Sequence, residues 1–154
     1  MESKEEIILN TVRQLQRFAA KYARIEDMPI PVEEGLEVTT REAHAVEAVG
    51  LRGHMSVTEL AKFFGVTKSA ASQTVTRLVD KGFLRKEPSP RSGKEFQLSL
   101  TDLGEKVQKA HERFHGADRE ELLKRLEAFS LGQISTVSVL LEALDDVLDR
   151  RLRP

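Results

Sequence analysis

The chain has 154 residues, of which 40% are hydrophobic, 32% charged and 5% aromatic, a composition that suits one compact domain and excludes a disordered or fibrous chain. No apolar run approaches the ~20 residues of a bilayer span, and the acidic start Met1-Glu-Ser-Lys-Glu-Glu6 does not resemble a signal or transit peptide, so the expectation is a cytoplasmic protein with no membrane partner. The chain has no cysteine, which excludes disulfides, thiolate zinc fingers, iron–sulfur clusters and thiol-based peroxide sensing; any metal site must use His and carboxylates. The net charge of −1 conceals a segregation, because residues 51–100 carry Arg52, Lys62, Lys68, Arg77, Lys81, Arg85, Lys86, Arg91 and Lys94 against Glu59, Asp80, Glu87 and Glu95. That block is +5 and the flanks together are −6, the pattern expected when one face meets a polyanion.

In chain order, apolar residues at steps of three and four over 5–25 (Ile8, Val12, Leu15, Phe18, Tyr22, Ile25) predict an amphipathic first helix. The prolines of Pro29-Ile-Pro-Val-Glu-Glu-Gly35 predict a loop. Thr39-Thr-Arg-Glu42 has capping-box spacing and opens a second helix through Ala43, Val46, Val49 and Leu51, closed by Gly50 and Gly53. A second box, Ser56-Val-Thr-Glu59, opens a third helix that stops at Gly65, and Thr67 caps a fourth over 68–81 that ends at Gly82. Two helices across so short a turn make a helix-turn-helix. Phe83–Glu87 and the alternating Phe96, Leu98 and Leu100 predict two strands around a Pro/Ser/Gly turn, a wing. Thr101 begins a long fifth helix, with a bend expected at Gly116, and Ser130-Leu-Gly-Gln133 begins a sixth. The apolar residues of the sixth, from Ile134 to Leu152, are too many for a small domain to cover from inside, which calls for a second chain.

At 100° per residue, Ala71, Val75, Leu78 and Val79 share one face of the fourth helix, with Ser69, Gln73, Thr76 and Asp80 opposite and Ser72 and Arg77 flanking. Its wet N-terminal half, with Thr67, Lys68 and free backbone amides, suits phosphates and base edges in a major groove. Gln73 is the best base reader, since a Gln bonds an adenine edge bidentately. Arg91 and Lys94 stand at the wing turn as phosphate or minor-groove contacts.

The order helix, helix, helix-turn-helix, wing, long helix, terminal helix resembles the MarR family of bacterial transcription regulators. The residues that carry the resemblance are Ser56-Val-Thr-Glu-Leu-Ala-Lys-Phe-Phe-Gly-Val-Thr-Lys-Ser-Ala-Ala-Ser-Gln-Thr-Val-Thr-Arg-Leu-Val-Asp-Lys-Gly-Phe-Leu84 and, after the wing, Leu98-Ser-Leu-Thr-Asp-Leu-Gly104. It implies a mainly α fold with a small β-wing, as a single MarR-like domain over 1–154. Within it, 36–100 would be the winged DNA-binding lobe, and 1–28 with 101–154 the dimerisation helices. It further implies a homodimeric repressor on a double-stranded, pseudo-palindromic operator, modulated by a metal ion or a small-molecule effector. One departure stands at the wing: where many members carry Asp-x-Arg, this chain has Ser92-Gly93-Lys94, which replaces a rigid fork with a point charge.

His111 and His115 stand at i, i+4, the spacing of two ligands of one divalent metal. The family's zinc-responsive members are similar in pairing such an H-x-x-x-H with a Glu near the end of helix 1 and a His early in helix 2, and Glu26 and His44 occupy those places. The resemblance thus implies a site for Zn2+ or another divalent metal at Glu26, His44, His111 and His115. The bland alternative is that these histidines line a crevice. His111-Glu-Arg-Phe-His115 also matches the H-E-x-x-H of zinc proteases, but a winged helix leaves little chain for a substrate cleft, and no enzyme is expected. A winged helix that docks on protein without touching DNA is the alternative from a different class.

Overall fold

The computed structural model describes residues 1–153. Most helix starts in it are set by a hydroxyl that accepts a backbone amide. Full capping boxes at Ser3, Thr39, Ser56 and Ser130 open α1 (Lys4–Glu26), α2 (Thr40–Arg52), α3 (Val57–Phe64) and α6 (Leu131–Leu152), and Thr67 alone caps α4 (Lys68–Asp80). The expected helices are all present. The Ser3 box was legible as Ser3-Lys-Glu-Glu6, though only the downstream apolar spacing pointed to that helix.

The proline-rich segment departs from the expected loop. Pro29–Glu33 forms β1, paired antiparallel with β2 (Leu36–Thr39) around Gly35, whose φ of 77° is open to glycine at no steric cost. Each strand of a two-stranded ribbon is an edge strand, so prolines can sit where no ladder donor is needed. Ile30 and Val38 face each other in register and are buried, and their burial holds the ribbon on the core. A second departure is β3 (Met55–Ser56), a strand too short to show alternation, which joins the wing strands β4 (Leu84–Pro88) and β5 (Phe96–Leu100) in the order β3-β5-β4.

One glycine does not close its helix as expected. Gly50 lies inside α2, where a Cβ would stand 2.6 Å from Gln108 Oε1 and 2.8 Å from Leu100 Cδ1; it serves close packing, and Gly53 ends the helix. Gly116 lies within α5, which is the one long helix expected, over Asp102–Leu126.

One core lies among α2, α3, α4, the sheet and the start of α5, built on Val46, Val49, Met55, Leu60, Val75, Leu78, Phe83, Leu84, Leu98 and Val107. Each large side chain removed from water there contributes roughly 1.5–3 kcal/mol. The junction that ends α4 and starts α5 is tight. Thr101 Oγ1 donates to the Gly82 carbonyl and accepts the Gly104 amide at 3.0 Å, and the Thr101 amide donates to the Phe83 carbonyl at 3.2 Å.

Met1–Phe114 forms one compact unit and His115–Pro154 another. The first contains the lobe expected over 36–100 together with α1 and the beginning of α5. In the second, α6 buries no residue and leaves Leu131, Ile134, Val137, Leu140, Leu141, Val147, Leu148 and Leu152 exposed.

Candidate nucleic-acid interface

The turn between α3 and α4 is short because Gly65, at φ 63°, takes the left-handed conformation that ends α3 while its amide returns to the helix. Thr67 then accepts the Ala70 amide at 3.1 Å and starts α4. Ala71, Val75 and Leu78 are buried and fix the rotation of α4 on the core. Thr67, Lys68, Ser69, Gln73, Thr76 and Arg77 are consequently exposed, and Ser72 is half-buried. The Thr76 hydroxyl donates to the Ser72 carbonyl at 3.0 Å, so toward an external partner it offers acceptor capacity. Arg77 Nη2 lies 3.4 Å from Thr74 Oγ1, which turns this cation toward the side of the helix rather than its tip.

At the wing, the amides of Arg91 and Lys94 donate to the Ser89 and Ser92 hydroxyls, both at 3.3 Å, so serine side chains brace the turn while both cationic side chains stay exposed. All nine cations of the basic block are exposed. Some are engaged: Lys81 pairs with Glu42, and Arg85 Nη2 donates to the Leu100 carbonyl at 3.0 Å.

Glu42, legible in the sequence as a capping residue and, with Asp27, as a substitute metal ligand, also joins two elements. One carboxylate oxygen accepts the Thr39 amide at 3.0 Å and the other meets Lys81 at the C-cap of α4. Burial pushes the Glu42 carboxyl up, but the Lys81 bond, the Thr39 amide and the charges of Lys81 and Arg77 outweigh it and hold the group below its usual range. Only the three-dimensional pairing of residues 39 apart reveals this link.

A cleft of about 750 Å³ opens between α1, α2, α3 and α4. Phe18, Tyr22, Leu60, Phe64 and Val66 make it apolar, and Glu26, Arg41 and Arg77 bring charge to it.

Three of the four residues named as metal ligands are neighbours. His44 Nδ1 lies 2.7 Å from Glu26 Oε1, and the His44 and His111 rings meet edge to face with centroids 4.9 Å apart. His111 is buried, its Nδ1 3.5 Å from Glu47. His115 belongs to the second unit, with Nδ1 3.8 Å from Asp118. Among the described residues no group of three or more His, Asp or Glu is arranged to hold a metal ion. His54 is exposed in its turn.

Residues 35–95 match the model of the MarR family. An uncharacterized HTH-type transcriptional regulator of Bacillus subtilis (strain 168), YhjH, is 27% identical over 107 residues, 68% of this chain and 61% of its own length. The chain thus spans somewhat less than two thirds of the curated relatives it matches. Among solved structures, a MarR mutant from E. coli complexed with operator DNA has a TM-score of 0.66 at 19% identity, covering 93% of this chain and 99% of that one. A zinc-responsive MarR family member, Lactococcus lactis ZitR, has a TM-score of 0.60 at 14% identity, covering 92% and 99%. These likenesses establish the winged-helix fold.

Proposed function

We propose that this chain, with a MarR-family segment at residues 35–95 and the fold of that family, is a DNA-binding transcription regulator, not an enzyme, and acts as a homodimeric repressor on a pseudo-palindromic operator. The observation that carries this reading is α4 itself: an apolar face locked into the core, and an opposite face of hydroxyls, an amide and a lysine, in a stretch whose nine cations are all exposed. Thr67, Lys68, Ser69, Ser72, Gln73 and Thr76 meet a major groove, Arg77 reaches the flanking phosphates, and Arg91 and Lys94 meet the adjoining backbone. The apolar residues left exposed on α6 support pairing with a second copy.

Selection of duplexes from a random pool, followed by a salt titration, tests the reading. Operator affinity should fall steeply as salt rises, because binding releases counterions. A chain that selects no duplex would instead be the protein-docking winged helix.

The effector is read as a small organic anion with an apolar body, on the lining of the α1–α4 cleft and the guanidiniums of Arg41 and Arg77. A divalent metal at Glu26, His44, His111 and His115 is the second reading, favoured by the contacts among the first three. Operator affinity measured with zinc and with chelator separates the two: a metal effector requires a difference, abolished by the double variant His111→Ala, His115→Ala.

A further inference from the structure

We propose that Lys86 and Phe96 form an additional backbone-binding element on the wing, in which Lys86 contacts a DNA phosphate and Phe96 is the positioning residue that holds its ammonium. The assignment presupposes duplex binding by the winged lobe and adds to that lobe two residues outside the helix and outside the wing turn.

The strand register places them. Leu84 pairs with Leu100, Lys86 with Leu98 and Pro88 with Phe96, so these six side chains share one face of the hairpin. Leu84 and Leu98 are 2% and 0% exposed and belong to the core. The hairpin continues past that core, and the same face then carries Phe96, 47% exposed, and the exposed Lys86. Lys86 Nζ stands 4.6 Å from the Phe96 ring centroid, within range of the negative face of the ring.

The exposed ring is therefore half of a cation–π pair that restrains a long, otherwise floppy side chain. The charge is also available. Lys81 is paired with Glu42 and Lys106 with Glu33, whereas Lys86 has no carboxylate within ion-pair distance among the described residues. Glu87, the next residue, alternates to the opposite face with its partner Gln97. A restrained, uncompensated ammonium on the strand that follows the recognition helix suits a phosphate, the polyanion's repeating group, and carries no sequence information.

The test uses the full-length chain with two probes, a duplex selected from a random pool and a mixed-sequence duplex, each titrated with salt. Lys86→Gln should weaken both alike, by about five-fold near physiological salt, and lower the salt slope by about 0.9, the value of one phosphate contact. Lys109→Gln, an equal charge change on α5, should leave the slope nearly intact. Phe96→Leu, which keeps an apolar side chain but removes the ring, should lose about two- to five-fold, and Phe96→Tyr should restore most of that loss. The double variant Lys86→Gln, Phe96→Leu should be hardly weaker than Lys86→Gln alone, because Phe96 acts through Lys86. An unchanged slope in Lys86→Gln, losses that multiply in the double variant, or failure of Phe96→Tyr to rescue would each overturn the proposal while the unmutated chain still binds. If the unmutated chain binds neither duplex, the DNA-binding reading falls and this element falls with it.

Discussion

Replacing Gly104 by alanine sets two effects of opposite sign against each other. In a helix, Gly→Ala ordinarily stabilises by up to about 1 kcal/mol. At Gly104, however, the new Cβ would stand 2.1 Å from the Phe83 carbonyl oxygen and 3.2 Å from the Phe83 carbonyl carbon, against ordinary C···O contacts near ~3.3–3.6 Å. The oxygen must retreat by about an ångström. It cannot do so freely: it belongs to backbone, it accepts the Thr101 amide, and Phe83 is only 1% exposed. Relief therefore lifts the start of α5 off the turn and strains the Thr101 bonds, at ~0.5–1.5 kcal/mol each, on top of ~1–3 kcal/mol for overpacking. After the helix gain is subtracted, the net loss is about 2–4 kcal/mol, or roughly 5–15 °C in Tm for a chain of this size. Circular dichroism melts and urea titrations at one fixed protein concentration measure it, since dimerisation would make Tm concentration-dependent. Gly116→Ala, on the same helix with nothing within 4 Å of its added Cβ, is the control and should be neutral or stabilised. A Gly104→Ala chain that melts at or above the unmutated temperature would refute the packing argument.

Gln73→Ala should cost about 1–3 kcal/mol on a selected operator and relax base preference at a few positions, while Arg91→Ala should weaken all sequences alike; an unchanged preference after Gln73→Ala would show that another residue reads the bases. Sedimentation at micromolar concentration should find a dimer, with two recognition helices about 34 Å apart on DNA, and Leu141→Asp on the exposed face of α6 should shift it toward monomer; a monomeric unmutated chain would remove the paired half-site model. Because Glu42 titrates below its ordinary value of 4.5 in the folded chain, its contribution is present above that value and lost as pH falls through the lower, folded one. The stability gap between the unmutated chain and Glu42→Gln, followed by urea titration, should hence be largest at neutral pH and close in acid; a gap independent of pH would show that the ion pair contributes nothing.

What the sequence revealed was local chemistry. A Ser or Thr three residues before Glu or Gln, standing just ahead of an apolar periodic run, marks the starts of α2, α3 and α6, and the buried face of α4 follows from 100° spacing alone, so these four helices were legible. The β1–β2 ribbon was not, because its prolines forbid helix without forbidding an edge strand, and only the burial of Ile30 against Val38 decides between strand and loop. Gly50 read as a helix end because sequence cannot show that it faces Gln108 and Leu100, where only a glycine packs. At the interface, the exposed face of α4 could be read ahead, whereas the Glu42–Lys81 link and the Lys86–Phe96 pair depend on contacts between separate elements. The i, i+4 histidines illustrate the limit of spacing: it fixes direction along a helix but not whether other donors converge.

The prolines of β1 have a further consequence, for association rather than folding. A two-stranded ribbon presents two open edges, each a template on which another extended chain can add. Alternate residues send their amides to the same side of a strand, so Pro29 and Pro31 remove consecutive donors along one side of β1. With Val38 and Ile30 turned into the core, that side bears neither the hydrogen-bond donors nor the apolar side chains that strand addition needs. The β1 edge of the ribbon is thereby protected against growing into intermolecular sheet, and Pro31→Val would restore a donor and a β-branched side chain at the position where the native chain excludes both.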